Sequence, residues 1–324
     1  MAALTDEIAL TRDRASARKT PGGLGDSLFR AASYGAAFLV LLVLAGILAS
    51  IAYGAWPAFQ EFGFGFITSS VWNIGQEQYG GLVAIVGTLA SAVLALLIGV
   101  PLSLGIAVYL TQLCPGWARK PVSMTIELLA SVPSIIYGMW GLFVFAPLFA
   151  RFVQVPVSNL VEGMPIVGTL FYARVPSGVG ILTAGIILAI MIVPFVASIT
   201  RDMLDQIPTV LRESAYGIGC TTWEVVRHVL VPQASVSIIG AIMLGLGRAL
   251  GETMAVTFVI GNANRLSASI FDPGSTIASR IANEFNEADG LQLNSLMALG
   301  CILFVITFIV LIIARLLVRR AKVA

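Results

Sequence analysis

Long apolar runs separated by short polar segments dominate the chain. A transmembrane helix needs about 20 mostly apolar residues, and six runs reach that length. They cover residues 31–53, 81–110, 123–149, 178–200, 234–260 and 291–314. The pattern predicts an all-α polytopic membrane protein in which residues 31–315 form the transmembrane domain, with cytoplasmic tails over residues 1–30 and 316–324.

Prolines and glycines fall inside several of the predicted spans. Pro101, Pro133 and Pro194 each remove an amide donor and are expected to kink their helices. Glycines, as in "GTLASA" (87–92) and "GAIMLGLG" (240–247), allow helices to approach closely in lipid. We therefore expect a packed bundle.

Basic residues indicate how the bundle is oriented, because Lys and Arg concentrate on the cytoplasmic side of membrane proteins. With both termini inside, fourteen of the 19 Lys and Arg residues lie in inner segments. The outer segments hold four: Arg151, Arg174, Arg265 and Arg280. The pattern predicts an N-in, C-in topology whose last outer loop carries the acidic segment "ANEFNEADG" (282–290), suited to contact with an external protein.

Composition supports the membrane assignment and narrows the chemistry. The chain is 58% hydrophobic and 11% charged, with a mean hydropathy of +0.94, whereas soluble chains are about 25% charged. A net charge of +2 gives no reason to expect nucleic-acid binding. Three cysteines without metal-like spacing and one histidine, His228, predict no metal site.

The cytoplasmic segment over residues 201–235 has a helical pattern in two parts. Pro208 suits a helix start, and Val210, Leu211 and Ala215 form an apolar stripe. Gly217 and Gly219 then permit a bend or a helix C-cap.

The second part begins at a capping box, since Thr221 precedes Glu224 by three residues. Pro232 is predicted to mark the turn towards the fifth span. Such a segment could be an ordinary amphipathic connector on the bilayer surface. Its spacing, however, resembles the cytoplasmic "EAA" loop of ABC importer permeases, with the matching positions Glu213, Ser214, Ala215, Gly219, Val229, Val231 and Pro232.

In that family, the first short helix of the loop docks into a cleft on a separate ATPase subunit. The resemblance implies that the docking element here runs from Glu213 to Gly219. The chain itself has no GxxxxGK[ST] segment. We therefore expect no ATPase site and no cofactor in this chain, with Mg-ATP bound by partner subunits.

Arg248 and Glu252, in "GLGRALGETMAV" (245–256), interrupt the fifth apolar run. Arg248 lies about 21 Å from Ala234 along a helix, near mid-bilayer, where a charge costs roughly 2.5–3.5 kcal/mol. On one helix the two side chains would share a face. Mutual neutralisation by an internal ion pair is one interpretation. We favour an oxyanion site on a transport path, because a guanidinium fork suits phosphate oxygens.

Several segments closely resemble the PstC-type permeases of phosphate-specific ABC importers. They are "ELLASVPSIIYGMWG" (127–141), "AYGIGCTTWEV", "GAIMLGLGRALGETMAVTFVIGN" and "ILFVITFIVL". The resemblance implies a type I ABC importer permease fold with cytoplasmic coupling helices, in the bacterial inner membrane. It also implies a PstA-type second permease, two copies of a PstB-type ATPase and a PstS-type phosphate-binding protein. In that family the positions of Arg248 and Glu252 are thought to serve phosphate passage.

Other polar and aromatic residues have weaker implications. Thr253 could donate a hydrogen bond into the path, as could Ser131 and Ser134, although such hydroxyls more often bond their own backbone. Glu127 is expected to be solvated or to cap a helix at the inner end of the third span, with a path role less favoured. Trp72 is one of the tryptophans that fit an interfacial belt.

Three other functions compete with the phosphate importer. An ATP-independent channel or carrier would use the same buried charges, but it would not need the cytoplasmic loop. An intramembrane enzyme would need paired aspartates, a nucleophile and base or an HExxH motif in the spans, and none is present. An ABC permease for another oxyanion, molybdate or sulfate, has the same charge chemistry, and only the resemblance favours phosphate.

Overall fold

The computed structural model describes residues 24–321, with side-chain environments for residues 25–316. The part of the 1–30 tail before Leu24, and residues 322–324 of the C-terminal tail, lie outside the described residues. In chain order the elements are α1 (Leu24–Phe62), α2 (Gly65–Thr68), β1 (Trp72–Asn73), β2 (Gln78–Tyr79), α3 (Leu82–Leu113), α4 (Gly116–Ala130), α5 (Ser134–Val161), α6 (Val167–Phe171), α7 (Ile181–Asp205), α8 (Thr209–Gly217), α9 (Thr222–Leu250), α10 (Met254–Val259), α11 (Ile277–Glu284) and α12 (Gly290–Ala321).

Six of the described helices, α1, α3, α5, α7, α9 and α12, are long and apolar enough to cross a membrane. The predicted number of spans is therefore confirmed. Residues up to Tyr53 form one unit and residues from Gly54 onwards form another. In the first unit the described part of α1 presents exposed apolar side chains such as Phe38 and Leu41, as expected of a helix in lipid.

The core of the second unit is centred on α7, where Ile187, Leu188 and Ile192 are fully buried. Glycine allows α3 and α7 to approach closely. A Cβ atom added at Gly99 would lie 3.0 Å from Ile192, and one added at Gly185 would lie 2.7 Å from the Leu94 side chain. Small residues thus serve helix packing here, as the sequence predicts.

A buried irregular segment, residues 269–276, lies over the beginnings of α3 and α7. The backbone amides of Ile181 and Leu182 donate to the carbonyls of Asp272 (3.3 Å) and Ile270 (2.8 Å), which satisfies amides that the first turn of a helix leaves free. A Cβ atom on Gly87 would lie 2.1 Å from the Ser275 carbonyl oxygen. Gly87 therefore packs against this segment.

The short β1–β2 hairpin is joined to α11 by a buried polar cluster. The Trp72 indole donates to Glu284 Oε2 over 2.9 Å, and the Arg280 guanidinium lies 4.6 Å from the Trp72 ring centroid. Arg280 also contacts Asn264 and is 3% exposed. Burial lowers the pKa of Arg280, and the Glu284 charge opposes that shift. The predicted interfacial position of Trp72 is wrong, because its ring is buried against this cation.

Two predicted spans differ from the helices observed. The third, predicted over 123–149, is divided between α4 and α5, because the chain leaves the helix at Ser131 and begins a new one after Pro133. Pro133 is therefore the start of a helix, whereas Pro101 and Pro194 lie inside continuous helices. The fifth, predicted over 234–260, is interrupted between α9 and α10.

Candidate functional site

The candidate site is formed where α9 ends inside the fifth apolar segment. The helix stops at Leu250, the Gly251 amide donates to the Gly247 carbonyl over 3.2 Å, and α10 begins at Met254. Arg248 lies in the last turn of α9, where the negative end of the helix dipole stabilises a cation. Glu252 and Thr253 lie in the break itself.

The sequence suggested that Arg248 and Glu252 share one face of a continuous helix. The structure shows that they do not, because the helix ends between them. They also form no ion pair within the described part of the chain. The break in the helix separates them. The internal ion pair that the sequence allowed is therefore not observed.

The Arg248 side chain is half-buried, and its Nε atom is buried with no hydrogen-bond partner among the described residues. Glu252 instead turns towards α10, where its Oε1 accepts a hydrogen bond from the Ala255 amide over 3.2 Å. The Thr253 hydroxyl donates to the Gly251 carbonyl over 3.3 Å, a bond to its own backbone. Among the described residues, no carboxylate lies within ion-pair distance of Arg248.

A second helix break lies close to the first. Residues 131–133 separate α4 from α5, and the beginning of α5 packs tightly on α10. A Cβ atom on Gly138 would lie 2.8 Å from the Ala255 Cα, and one on Gly141 would lie 2.8 Å from Val259 Cγ1. The position of α10, and with it that of Glu252, is therefore set by two glycines of α5.

The glycines of "GLGRALGE" have different environments. A Cβ atom on Gly245 would lie 2.8 Å from Val196 Cγ2, whereas one on Gly247 would meet nothing within 4 Å and one on Gly251 would make only an ordinary contact. The expected close-packing role holds within this chain for Gly245 alone.

Glu127 lies in α4, one turn before the break at residues 131–133. Its Oε1 is 2.9 Å from Arg201 Nη2, and the same guanidinium contacts Asp202 at 2.6 Å. Arg119 pairs with Asp205 beside them. These five side chains line a cleft of about 450 Å³. Glu127 is therefore ion-paired, not simply solvated. Ser131, considered as a donor into a pore, bonds the Leu128 carbonyl over 2.7 Å.

The segment over residues 201–235 forms the two helical parts that its sequence predicts. Helix α8 starts after Pro208, and α9 starts at a capping box in which the Glu224 carboxylate accepts from the Thr221 amide (2.7 Å). Between them, the Gly219 amide donates to the Tyr216 carbonyl (3.0 Å) and the Cys220 amide to the Ala215 carbonyl (3.1 Å).

These two hydrogen bonds, with Gly219 at φ +92°, form a Schellman C-cap. Ala215 is buried against Val225 and Leu230 of α9, so α8 is fixed to the fifth span. Glu213 and Ser214 are exposed.

The predicted apolar stripe divides, because Val210 and Leu211 are exposed while Ala215 is buried. Pro232 does not mark a turn. Helix α9 runs through it without interruption, and residues 226–230 just before it form a π-helical stretch. Such a stretch accommodates a proline, which lacks an amide and whose ring crowds the preceding turn.

Comparison with known proteins identifies the family. A family model described as binding-protein-dependent transport system inner membrane component matches residues 99–323. The chain is 52% identical over 321 residues to the "Phosphate transport system permease protein PstC" of Mesorhizobium japonicum, covering 99% of this chain and 98% of that protein. This chain belongs to the PstC-type permeases of that family. A protein of the same name from Haemophilus influenzae is 52% identical, over 92% of this chain and 94% of its own length.

Solved structures agree with the permease fold. The crystal structure of a bacterial alginate ABC transporter, in complex with a periplasmic protein bound to an alginate pentasaccharide, matches with a TM-score of 0.60. The match has 17% identity and covers 91% of this chain and 96% of that one. A second structure of an alginate-importing ABC transporter gives a TM-score of 0.58 at 19% identity, and the match covers 92% of this chain and 98% of that one. At this identity the likeness concerns the fold. The expected class, a polytopic ABC importer permease, is confirmed.

Tyr137 has no role in the sequence-based prediction, although the structure places it beside the site. Its ring is 8% exposed and packs in the cluster that contains Leu250 and Ala255. The pattern Leu129–Pro133–Tyr137, with a proline and then a tyrosine at successive four-residue steps, was the available signal.

No group of three or more His, Cys, Asp or Glu side chains is placed to hold a metal ion within the described ranges.

Proposed function

We propose that this PstC-type permease forms half of the membrane path of an ATP-driven importer that carries inorganic phosphate into the cytoplasm by alternating access. The observation that carries the proposal is Arg248. It is an intramembrane guanidinium at the end of a helix, with a buried Nε that has no partner in the described chain. Ionisable residues inside spans commonly mark substrate paths, and an unneutralised guanidinium suits a phosphate oxyanion.

Glu252 has a second role in this proposal, the discrimination of phosphate from sulfate. Its Oε1 is held by the Ala255 amide, which leaves Oε2 free to accept. At neutral pH phosphate still carries a proton that it can donate to a carboxylate, whereas sulfate has none. Thr253 lies between Glu252 and α10, and its hydroxyl can exchange its backbone bond for an anion oxygen.

The cytoplasmic loop connects this path to a separate ATPase. Helix α8 offers Glu213 and Ser214 at its surface, next to exposed apolar side chains such as Val210 and Ile218. Ala215 and the Gly219 cap anchor the helix to α9. A docked subunit that moved α8 would therefore displace α9, whose last turn carries Arg248.

The assembly proposed around this chain has a PstA-type permease beside it, two PstB-type ATPase subunits below and a PstS-type phosphate-binding protein above. This arrangement requires the N-in, C-in orientation in the bacterial inner membrane. The absence of a GxxxxGK[ST] segment supports hydrolysis of ATP in the partner subunits. The two helix breaks supply one side of the path, and the second permease supplies the other.

Uptake of labelled phosphate into vesicles that contain the whole complex tests the proposal. We expect Arg248→Ala to abolish ATP-dependent uptake while the complex still assembles. Arg151→Ala, which removes a guanidinium near the outer end of α5, is the matched control and should retain uptake. Normal uptake by Arg248→Ala would refute the role of the site. Uptake driven by a proton gradient without ATP would favour a carrier, and preference for molybdate or sulfate would assign another oxyanion.

Glu252→Gln tests selectivity separately. We expect the ratio of phosphate to sulfate uptake to fall, because a neutral amide no longer requires a proton on the anion. An unchanged ratio in an assembled complex would exclude Glu252 from discrimination without affecting the proposal for Arg248.

A further inference from the structure

Helix α4 lies against α7 but buries none of its own residues. Its large apolar side chains, such as Trp117, Met124 and Leu128, are exposed. Apolar burial therefore does little to fix the position of α4. The side chains that reach α7 are charged instead. Arg119 and Glu127 stand on one face of α4, at multiples of four residues.

Two ion pairs, which we call the α4–α7 ion pairs, join this face to the last turn of α7. Arg119 pairs with Asp205, and Glu127 Oε1 lies 2.9 Å from Arg201 Nη2. On α4 the two contacts are separated by about 12 Å along the helix axis. One pair alone would let α4 pivot on α7, whereas two separated pairs also fix its direction. Partly exposed pairs contribute little to folding stability, so we expect their main effect to be on orientation.

The same end of α7 is bound by the docking helix α8. The Arg212 guanidinium donates from Nη2 to the Leu204 carbonyl oxygen over 2.6 Å. Leu204 is buried in the last turn of α7, where carbonyls lack the amides of a following turn and carry the negative end of the helix dipole. A hydrogen bond from a charged donor is strong at such a position. A displacement of α8 therefore acts on the turn of α7 that also carries Asp205.

The other end of α4 is connected to the candidate site. The Leu129 carbonyl, in the last turn of α4, accepts a hydrogen bond from the Tyr137 hydroxyl of α5 over 2.9 Å. This bond spans the break between the two helices. One residue further on, Gly138 packs against Ala255 of α10, where an added Cβ atom would lie 2.8 Å from the Ala255 Cα. The Ala255 amide in turn holds Glu252. A movement of α4 would therefore reach the Glu252 side of the site.

We propose that the α4–α7 ion pairs are positioning contacts for transport, which make α4 follow the end of α7 when an ATPase subunit moves α8. The docking helix then acts on both sides of the site. It acts on Arg248 through α9, and on Glu252 through α7, α4, α5 and α10. The inference rests on the proposed function. It gives four side chains that do not touch the anion the task of moving the two sides of the site together.

Reversal of one charge tests the proposal in vesicles that contain the whole complex and its phosphate-binding protein. Arg119→Glu places a carboxylate beside Asp205, so α4 should no longer follow α7. We expect the number of ATP molecules hydrolysed per phosphate imported to rise about fivefold, within the range typical of residues that couple two sites. Lys120→Glu is the matched control, because it makes the same change of charge at a residue that forms no ion pair within the described chain. It should leave the ratio unchanged.

The exchanged pair provides the rescue. Arg119→Glu combined with Asp205→Arg restores the attraction with the charges interchanged, and should return the ratio to within about twofold of the wild type. A normal ratio in Arg119→Glu, or a raised ratio that the second substitution does not rescue, would overturn the proposal. Equal losses of ATP hydrolysis and uptake would also overturn it, because the pair would then support docking or folding. Absence of ATP-dependent phosphate uptake in the wild-type complex would instead count against the proposed function.

A covalent link tests joint movement directly. In a complex whose native cysteines are replaced by serine, Arg119→Cys and Asp205→Cys together remove one ion pair and allow a short bifunctional thiol reagent to take its place. We expect the unlinked variant to have the raised ratio of ATP hydrolysed to phosphate imported, and the cross-linked variant to regain the wild-type ratio. Loss of uptake on cross-linking would show that α4 must separate from α7 during transport, which would contradict the proposal.

Discussion

Gly219→Ala is the most direct test of how the segment between α7 and α9 is built. Gly219 has φ +92°, a conformation that L side chains rarely adopt. An added Cβ atom would meet nothing within 4 Å. The effect of the substitution is therefore backbone strain without steric conflict, about 1–2 kcal/mol.

That strain has a defined consequence for docking. A change of about 1–2 kcal/mol alters the population of the capped loop by roughly 5–30-fold. If the ATPase subunit binds only the capped form, its apparent affinity falls by up to the same factor. Gly217 is the matched control, because it is helical and its Cβ position is also open. Gly217→Ala should strengthen α8 by up to about 1 kcal/mol.

The measurement is binding of the ATPase subunit to the permease in nanodiscs, together with amide exchange across residues 209–224. Gly219→Ala should weaken binding and speed exchange, and Gly217→Ala should do neither. Gly219→Asn should lose less than Gly219→Ala, since Asn tolerates the left-handed region. Equal losses for Gly217→Ala and Gly219→Ala would refute the assignment of a C-cap.

Three further substitutions test other contacts. Gly138→Ala should overpack the contact between α5 and α10, which lowers the free energy of unfolding by about 1–3 kcal/mol and reduces phosphate uptake. Gly105→Ala is the control, because nothing lies near its Cβ position, and it should do neither. Equal melting temperatures for the two variants would contradict this. Trp72→Phe should remove the indole bond to Glu284 and lower the free energy of unfolding by about 1.5–3 kcal/mol in detergent titrations, and an unchanged midpoint would argue against that bond. Thr221→Ala should remove a capping box that contributes about 0.5–2 kcal/mol to helix stability. Amide exchange in the first turn of α9 should become faster, and an unchanged exchange rate would show that the cap is unimportant.

The number of spans, the capping box and the start of α8 follow from local pattern, and all three are observed. Hydropathy averages over about 20 residues, so it registers the apolar segments but not breaks of three residues within them. The breaks before Ser134 and after Leu250 lie inside apolar runs, and the hydropathy pattern therefore did not predict them. Pro133 could have indicated a helix break. Pro101 and Pro194, however, lie inside continuous helices, so a proline alone does not distinguish a broken helix from a continuous one.

Candidate residues were found more readily than their partners. Arg248 and Glu252 stand out because charges are rare in apolar runs. Their separation depends on where α9 ends, and the next helix, α10, packs against Gly138, a contact remote in sequence. The burial of Trp72 against Arg280 likewise joins the β1–β2 hairpin to α11. Tertiary contacts of this kind leave no periodic trace in a single sequence.

The close approach of Gly87 to Ser275 limits how this permease opens. The Ile277 amide also donates to the Thr88 hydroxyl over 2.9 Å, so the start of α3 and residues 275–277 cannot slide past one another without breaking a buried hydrogen bond. In the importer proposed above, we therefore expect the start of α3 and residues 275–277 to move together when the path opens.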